Sequence, residues 1–239
     1  SEIRYFTNLE QLYCHENLLA DLDLSHNPKI EILVCSDNVL QEIDPGLCPA
    51  MTYLMCNGNS LSALDLAQNS ALQFVDCSDN PIETLALTPS VTYLNCGRNR
   101  LQHLDLEGIS VMSHLHCPGN CLTDLDLGGM QSVASLDCSG NMLYSLNIGS
   151  SDIGFLNCAG NNISDLDIDS CVSLMELDCH GNRLTTLDLS GKLCILKVNC
   201  SDNPLEKVIL PSGHFKDYTI VEQIAESIRE EYGDIVEYR

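Results

Sequence analysis

Fourteen cysteines are the residues of this sequence that most obviously could do chemistry, and ten of them keep the same company. Cys14, Cys35, Cys56, Cys77, Cys96, Cys117, Cys138, Cys158, Cys179 and Cys200 are each followed three residues later by asparagine, at steps of 21, 21, 21, 19, 21, 21, 20, 21 and 21 residues. A thiolate can attack an electrophile, ligate zinc or pair into a disulfide. Zinc sites use paired thiolates or interleaved imidazoles, and the chain has neither a C-x-x-C nor a histidine column. Disulfides within the column are disfavoured because in-register side chains on neighbouring parallel strands point the same way, with their Cβ atoms too far apart. The column therefore reads as buried thiols, small polarizable apolar groups that fill a core. Cys48, Cys121, Cys171 and Cys194 fall outside it. Cys171 and Cys194 occupy successive turns, so a bridge between them stays open.

A second column is acidic: Asp23, Asp44, Asp65, Asp105, Asp126, Asp167 and Asp188 recur within an L-D-L phrase or its variants. Carboxylates stacked about 4.8 Å apart repel by roughly 1 kcal/mol per pair even in water, so something must offset that cost. Backbone N–H groups of the following turn could do it, and so could calcium. The absence of a D-x-D-x-D-G loop or a G-G-x-G-x-D repeat favours the turn. His114 and His116 lie two residues apart and face one way, with Tyr93, Asn95 and Asp137 as lateral neighbours. They suit a polar rim better than a metal site. No G-x-S-x-G and no phosphate-cradling glycine loop occurs, and the acids are spread by the repeat rather than gathered in a cleft. No catalysis and no cofactor are expected.

The elements that must position these residues come from the same period. Self-similarity near twenty residues is the mark of a solenoid. Aligned on cysteine, the phrase is L-x-x-L-x-C-x-x-N-x-L-x-x-L-D-L followed by a variable turn, and residues 174–189, LMELDCHGNRLTTLDL, fit every position. Alternation around Leu177 and Cys179, and again around Leu187 and Leu189, predicts two short strands per coil, with Leu174 and Leu184 also turned inward. The asparagine column, Asn17, Asn38, Asn59, Asn80, Asn99, Asn120, Asn141, Asn161, Asn182 and Asn203, is expected to satisfy turn backbone. Ala86, Asn147 and Ile209 stand in place of the aspartate, and Pro45 interrupts the second coil. These departures are expected to fray single coils.

This pattern resembles the leucine-rich repeat family, most closely the bacterial IRREKO-type subclass, over about residues 9–210. The resemblance implies a mostly-β repeat solenoid of the α/β type: a right-handed superhelix of about ten coils, with a parallel sheet on one face and short second strands on the other. It also implies a scaffold that binds other macromolecules at a bacterial surface or outside the cell. It names no ligand.

On the sheet's outward positions two columns are free of the core. The first runs Gln11, Ile32, Tyr53, Phe74, Tyr93, His114, and the second Tyr13, Val34, Met55, Asp76, Asn95, His116; Asp137 continues the second. A plain solvated face would be polar throughout, whereas contiguous apolar and aromatic residues mark an interaction site. The candidate binding set is therefore Tyr13, Ile32, Val34, Tyr53, Met55, Phe74, Asp76, Tyr93, Asn95, His114, His116 and Asp137. A protein ligand is the first expectation, and a glycan stacked on Tyr53, Phe74 and Tyr93 the second. With 34 acidic against 11 Lys and Arg residues, a formal charge of −23, nucleic acid and anionic membrane surfaces are poor partners.

At the ends, residues 1–8 form a partial lead-in, 9–210 the solenoid, and 211–239 a capping helix and tail. Ile220, Ile224 and Ile228 recur at helical spacing ahead of Gly233, as a C-terminal lid would require. Ile3, Tyr5 and Phe6 offer too little to close the other end, which implies upstream sequence or a neighbour. Ser1 in place of methionine suggests a processed chain.

Overall fold

The structure is a computed structural model describing residues 2–212 and 218–239, the side chain of Tyr218 excepted. Ser1 of the predicted lead-in and residues 213–217 of the predicted C-terminal segment lie outside the described residues. The chain divides into two compact units, 1–121 and 122–239.

In the first unit the L-x-x-L-x-C phrases become the parallel strands Gln11–Tyr13, Ile32–Val34, Tyr53–Met55, Phe74–Asp76, Tyr93–Asn95 and Val111–His116. They pair in repeat register: Gln11, Ile32, Tyr53, Phe74, Tyr93 and His114 are successive partners, and so are Tyr13, Val34, Met55, Asp76, Asn95 and His116. The pleat sends alternate residues inward, so Leu33, Cys35, Leu54, Cys56, Val75, Cys77, Leu94, Cys96, Leu115 and Cys117 are all fully buried. Each leucine buried this way contributes roughly 2 kcal/mol.

From Asn38 onward the asparagine of a coil ties that coil to the one before. Asn80 Nδ2 donates to the carbonyls of Cys56, Cys77 and Ser78 at 3.1, 3.2 and 3.0 Å, while its Oδ1 accepts from Leu61 N at 3.0 Å. A second polar ladder runs through the variable turns. Asn69 Nδ2 donates to Pro45 O and Cys48 O at 2.9 and 3.0 Å, Cys48 Sγ lies 3.4 Å from Asn27 O, and Asn27 Nδ2 holds the lead-in through Ile3 O and Phe6 O. The lead-in, a 3-10 turn at Glu2–Tyr5, leaves Tyr5, Phe6, Tyr13 and Leu18 exposed.

In the second unit the sheet strands are Ser132–Asp137, Phe155–Asn157, Glu176–Asp178 and Lys197–Asn199, again parallel and in repeat register. The helix Tyr218–Tyr232 buries Val221, Ile224, Ala225 and Ile228 and ends at Gly233, whose φ of +79° reverses the chain. Beyond it Val236–Tyr238 adds, in parallel, to Lys207–Leu210, a strand that the sequence pattern did not signal. Tyr232 completes the cap: its hydroxyl donates to Cys200 O at 3.0 Å and accepts from Asn203 N at 3.1 Å, serving a carbonyl of the kind that a following asparagine serves elsewhere.

Second strands form in fewer coils than expected. They pair at Ala63–Asp65 with Thr84–Ala86, Asp124–Asp126 with Ser145–Asn147, and Thr186–Asp188 with Lys207–Leu210. None forms at 21–23, 42–44, 103–105 or 165–167. The 103–105 and 165–167 segments follow the shortened 19- and 20-residue steps, and Asp44 caps a 3-10 turn at Pro45–Leu47. Pro45 thus acts locally as expected, but Ala86, Asn147 and Ile209 sit inside strands and fray nothing. Asn147 Oδ1 still accepts the turn N–H, from Gly149 at 3.0 Å.

Candidate functional site

The first unit brings eleven of the twelve candidate residues onto one solvent-facing surface. Tyr13 and His114 are exposed there, and Ile32, Val34, Tyr53, Met55, Phe74, Asp76, Tyr93, Asn95 and His116 are half-buried. Asp137 stands in the second unit, half-buried, its Oδ1 accepting from Ser139 N at 3.0 Å and Ser139 Oγ at 2.7 Å.

Register alone makes the rings meet. Tyr53 and Phe74 stack with centroids 4.3 Å apart and planes 8° from parallel, and Phe74 and Tyr93 repeat this at 4.3 Å and 10°. Tyr93 then meets His114 at 5.4 Å, tilted by 40°. His116 approaches Tyr93 at 6.0 Å and His114 edge-on at 5.9 Å. Such pairs are worth about 0.5–1.5 kcal/mol each beyond burial, so the stack is held before any ligand arrives. Tyr53 OH lies 3.1 Å from Met55 Sδ, joining the two columns. Burial in the stack, and then the nearby Asp76 carboxylate, push both tyrosine hydroxyls above their ordinary pKa. They remain neutral donors at physiological pH.

The polar members are partly committed. Asp76 Oδ1 accepts from Ser78 N at 3.1 Å and Ser78 Oγ at 2.7 Å, and its Oδ2 accepts from Asn95 Nδ2 at 3.2 Å. Asn95 Oδ1 takes Gly97 N at 3.2 Å. Ser78 is thus a positioning residue that the sequence reading missed, although the D-C-S phrase at 76–78, repeated at 137–139, carries the signal. In the second unit Asp178 Oδ1 meets His180 Nδ1 at 2.6 Å, with Asn199 Nδ2 within 3.3 Å of Asp178 Oδ2.

The ladder thiols and the aspartate column are held by their surroundings. Burial pushes Cys35 and Cys158 up to about 12, and Cys56, Cys96 and Cys179 well above the ordinary thiol value, so the nucleophilic thiolate is suppressed. Among the described residues there is no disulfide, and Cys171 is buried whereas Cys194 is exposed. The aspartate column is met by its own turns: Asp23, Asp65, Asp126 and Asp188 accept from the N–H two residues on, at 2.8–3.0 Å. No group of three or more His, Cys, Asp or Glu suited to a metal occurs among the described residues.

No protein-family model matches the sequence, and no curated protein matches it. Solved structures do. The functional domain of InlJ from Listeria monocytogenes, described as including a cysteine ladder, superposes over 99% of this chain and 69% of its own, at 22% identity and a TM-score of 0.52. This chain has the leucine-rich repeat fold. The LRIM1/APL1C complex matches 87% of it at 21% identity and a TM-score of 0.71, and TLR13 in complex with ssRNA13 matches 82% at 19% identity and 0.58. This leucine-rich repeat chain spans 45% and 32% of those two longer chains.

Proposed function

We propose that this chain is a non-catalytic scaffold, of the IRREKO type and displayed at or secreted from a bacterial surface, that holds a protein ligand on the sheet face of its first unit. The observation that carries the reading is the continuous stack Tyr53–Phe74–Tyr93 beside Ile32, Val34 and Met55: preformed apolar surface, rich in interface residue types, on the side of the sheet away from its core. A protein partner has a precedent in the LRIM1/APL1C complex. The RNA complex of TLR13 has the same fold, so fold does not select the ligand. Charge argues against RNA for this chain, since at −23 it lacks the cations that displace phosphate counterions. A glycan platform is disfavoured by the stack itself. Sugars pack on ring faces, and both faces of Phe74 are taken by its neighbours.

The test is capture from bacterial and host surface material by the parent and by a Tyr53→Ala, Phe74→Ala variant. A partner held by the parent should bind the variant about 30-fold or more weakly, while the chain stays folded and loses only the two stacking contacts, about 1–3 kcal/mol of stability, because neither side chain enters the core. A partner held equally by both would put the binding surface elsewhere.

A further inference from the structure

The sheet face also specifies the chemistry of its partner, an inference that rests on the reading of that face as the binding surface. The first unit carries fifteen acidic residues against four basic ones, Arg4, Lys29, Arg98 and Arg100. Each of the four is already engaged. Arg98 lies 3.2 Å from Asp79 and Arg100 3.9 Å from Glu83, Lys29 Nζ meets Asn8 Oδ1 at 2.6 Å, and Arg4 covers the Tyr5 ring at 5.4 Å. The two outward columns, from Gln11 and Tyr13 to His114 and His116, contain no Lys or Arg. Their one formal charge is Asp76, and Glu10 and Glu31 stand exposed just ahead of the first two strands.

Two constraints follow. A partner that dries the rings must bring its own surface within a few ångströms of a region charged by about eleven units, so an acidic partner, a second copy of this chain included, is repelled. The rings present their edges, because stacking uses their faces, so a partner meets Tyr53, Phe74, Tyr93, Val34 and Met55 with apolar groups laid across those edges, aliphatic side chains foremost. We propose that the partner is a basic protein segment. Its Leu, Ile or Val side chains lie along the ring edges, and its Lys or Arg side chains reach Glu10, Glu31 and the Oδ2 of Asp76, which among the described residues accepts one long bond, from Asn95 at 3.2 Å.

Two synthetic twelve-residue peptides test this, one alternating Leu and Arg and the other Leu and Glu, titrated by fluorescence anisotropy against the parent chain, Tyr53→Ala/Phe74→Ala, and Asp76→Asn. Asp76→Asn retains the Oδ1 that Ser78 binds and removes the charge with little change in shape, at the cost of the bond from Asn95 Nδ2 to Oδ2, a loss that salt does not change and that the salt comparison therefore separates from the charge. The Leu–Arg peptide is expected to bind, to weaken about tenfold or more with the aromatic pair removed and about threefold with Asp76→Asn, and to lose the latter difference at 0.5 M salt. The Leu–Glu peptide is expected to bind at least tenfold more weakly. If the Leu–Glu peptide binds equally well and is equally sensitive to Tyr53 and Phe74, the partner chemistry is overturned while the face stands. Leu–Arg binding that ignores Tyr53 and Phe74 overturns the face as well, and no binding of either peptide up to millimolar concentration overturns the proposal.

Discussion

At the scale of single residues the fold is held by side chains that satisfy backbone. Removing Asn80 would strand Leu61 N in the core at a cost of about 1–3 kcal/mol, and would leave Cys56 O and Cys77 O each with one donor fewer, held by Asn59 and Asn99. Asn80→Ala should therefore lower stability by roughly 2 kcal/mol or more in urea unfolding, and a loss below about 1 kcal/mol would refute the accounting. Cys96 offers the contrasting case, because its fully buried thiol is packed for its bulk. Cys96→Ser should cost roughly 1–3 kcal/mol by burying a hydroxyl, and Cys96→Ala less. In the native chain exposed Cys194 should react with an impermeant maleimide long before Cys35, Cys56, Cys77 or Cys96. Both columns were legible in the sequence because repetition separates a structural residue from a singular one. What the sequence could not display was the reach of each bond, such as Asn80 across to Cys56, or the Ser78 clamp on Asp76, because these depend on how one coil seats on the last.

Elements bring two different degrees of legibility. The sheet strands sit where the period puts them, because a buried Leu and a buried Cys two residues apart leave one orientation for the strand between. The second strands were over-read. They are missing from the two coils that follow the short steps, at 103–105 and 165–167, and also from the first two coils, at 21–23 and 42–44, although those keep the 21-residue step. The C-terminal cap was half legible: its helix followed from isoleucine spacing, but Val236–Tyr238 and the role of Tyr232 did not. Tyr232→Phe keeps the ring and deletes both hydroxyl bonds, so it should cost about 1–3 kcal/mol and speed hydrogen exchange at the Asn203 amide. It should also change the alkaline limb. Burial, then Glu231, push the Tyr232 hydroxyl up to about 12, above the ordinary value near 10. A pKa raised in the folded state gives stability that is whole below pH 10 and is lost as pH rises toward 12. Raised thiols such as Cys200 also erode stability there, so the measurement is the difference between parent and Tyr232→Phe. Denaturation midpoints of the two should converge between pH 10 and 12, and parallel midpoints would remove Tyr232 from the account.

For the whole molecule the governing quantity is a charge of −23, which composition displayed at once but whose cost depends on placement. Local bonding meets the hydrogen-bond needs of the aspartates: Asp65 Oδ1 accepts Ala67 N at 3.0 Å, and Asp167 Oδ1 accepts Asp169 N at 3.0 Å. An N–H dipole does not cancel a unit charge, however, so repulsion along the column persists and should respond to screening. Asn147 exhibits the alternative within the chain. It keeps the turn bond to Gly149 at 3.0 Å and donates to Asp126 Oδ1 at 2.7 Å, where another aspartate would have repelled it. The same exchange at Asp65 and Asp167 should preserve the turn while removing charge. Asp65→Asn and Asp167→Asn should then each stabilise by about 0.5 kcal/mol in 10 mM salt, where the screening length is about 30 Å, and by almost nothing in 0.5 M NaCl. The parent's melting temperature should rise over the same interval. Asp65→Ala separates the two contributions, since it removes the charge and the Ala67 bond together and should destabilise at high salt, where only the lost bond remains. If the asparagine variants are instead destabilised at both salt concentrations, the column is held by its charge, as a bound cation would require, and turn hydrogen bonding does not account for it.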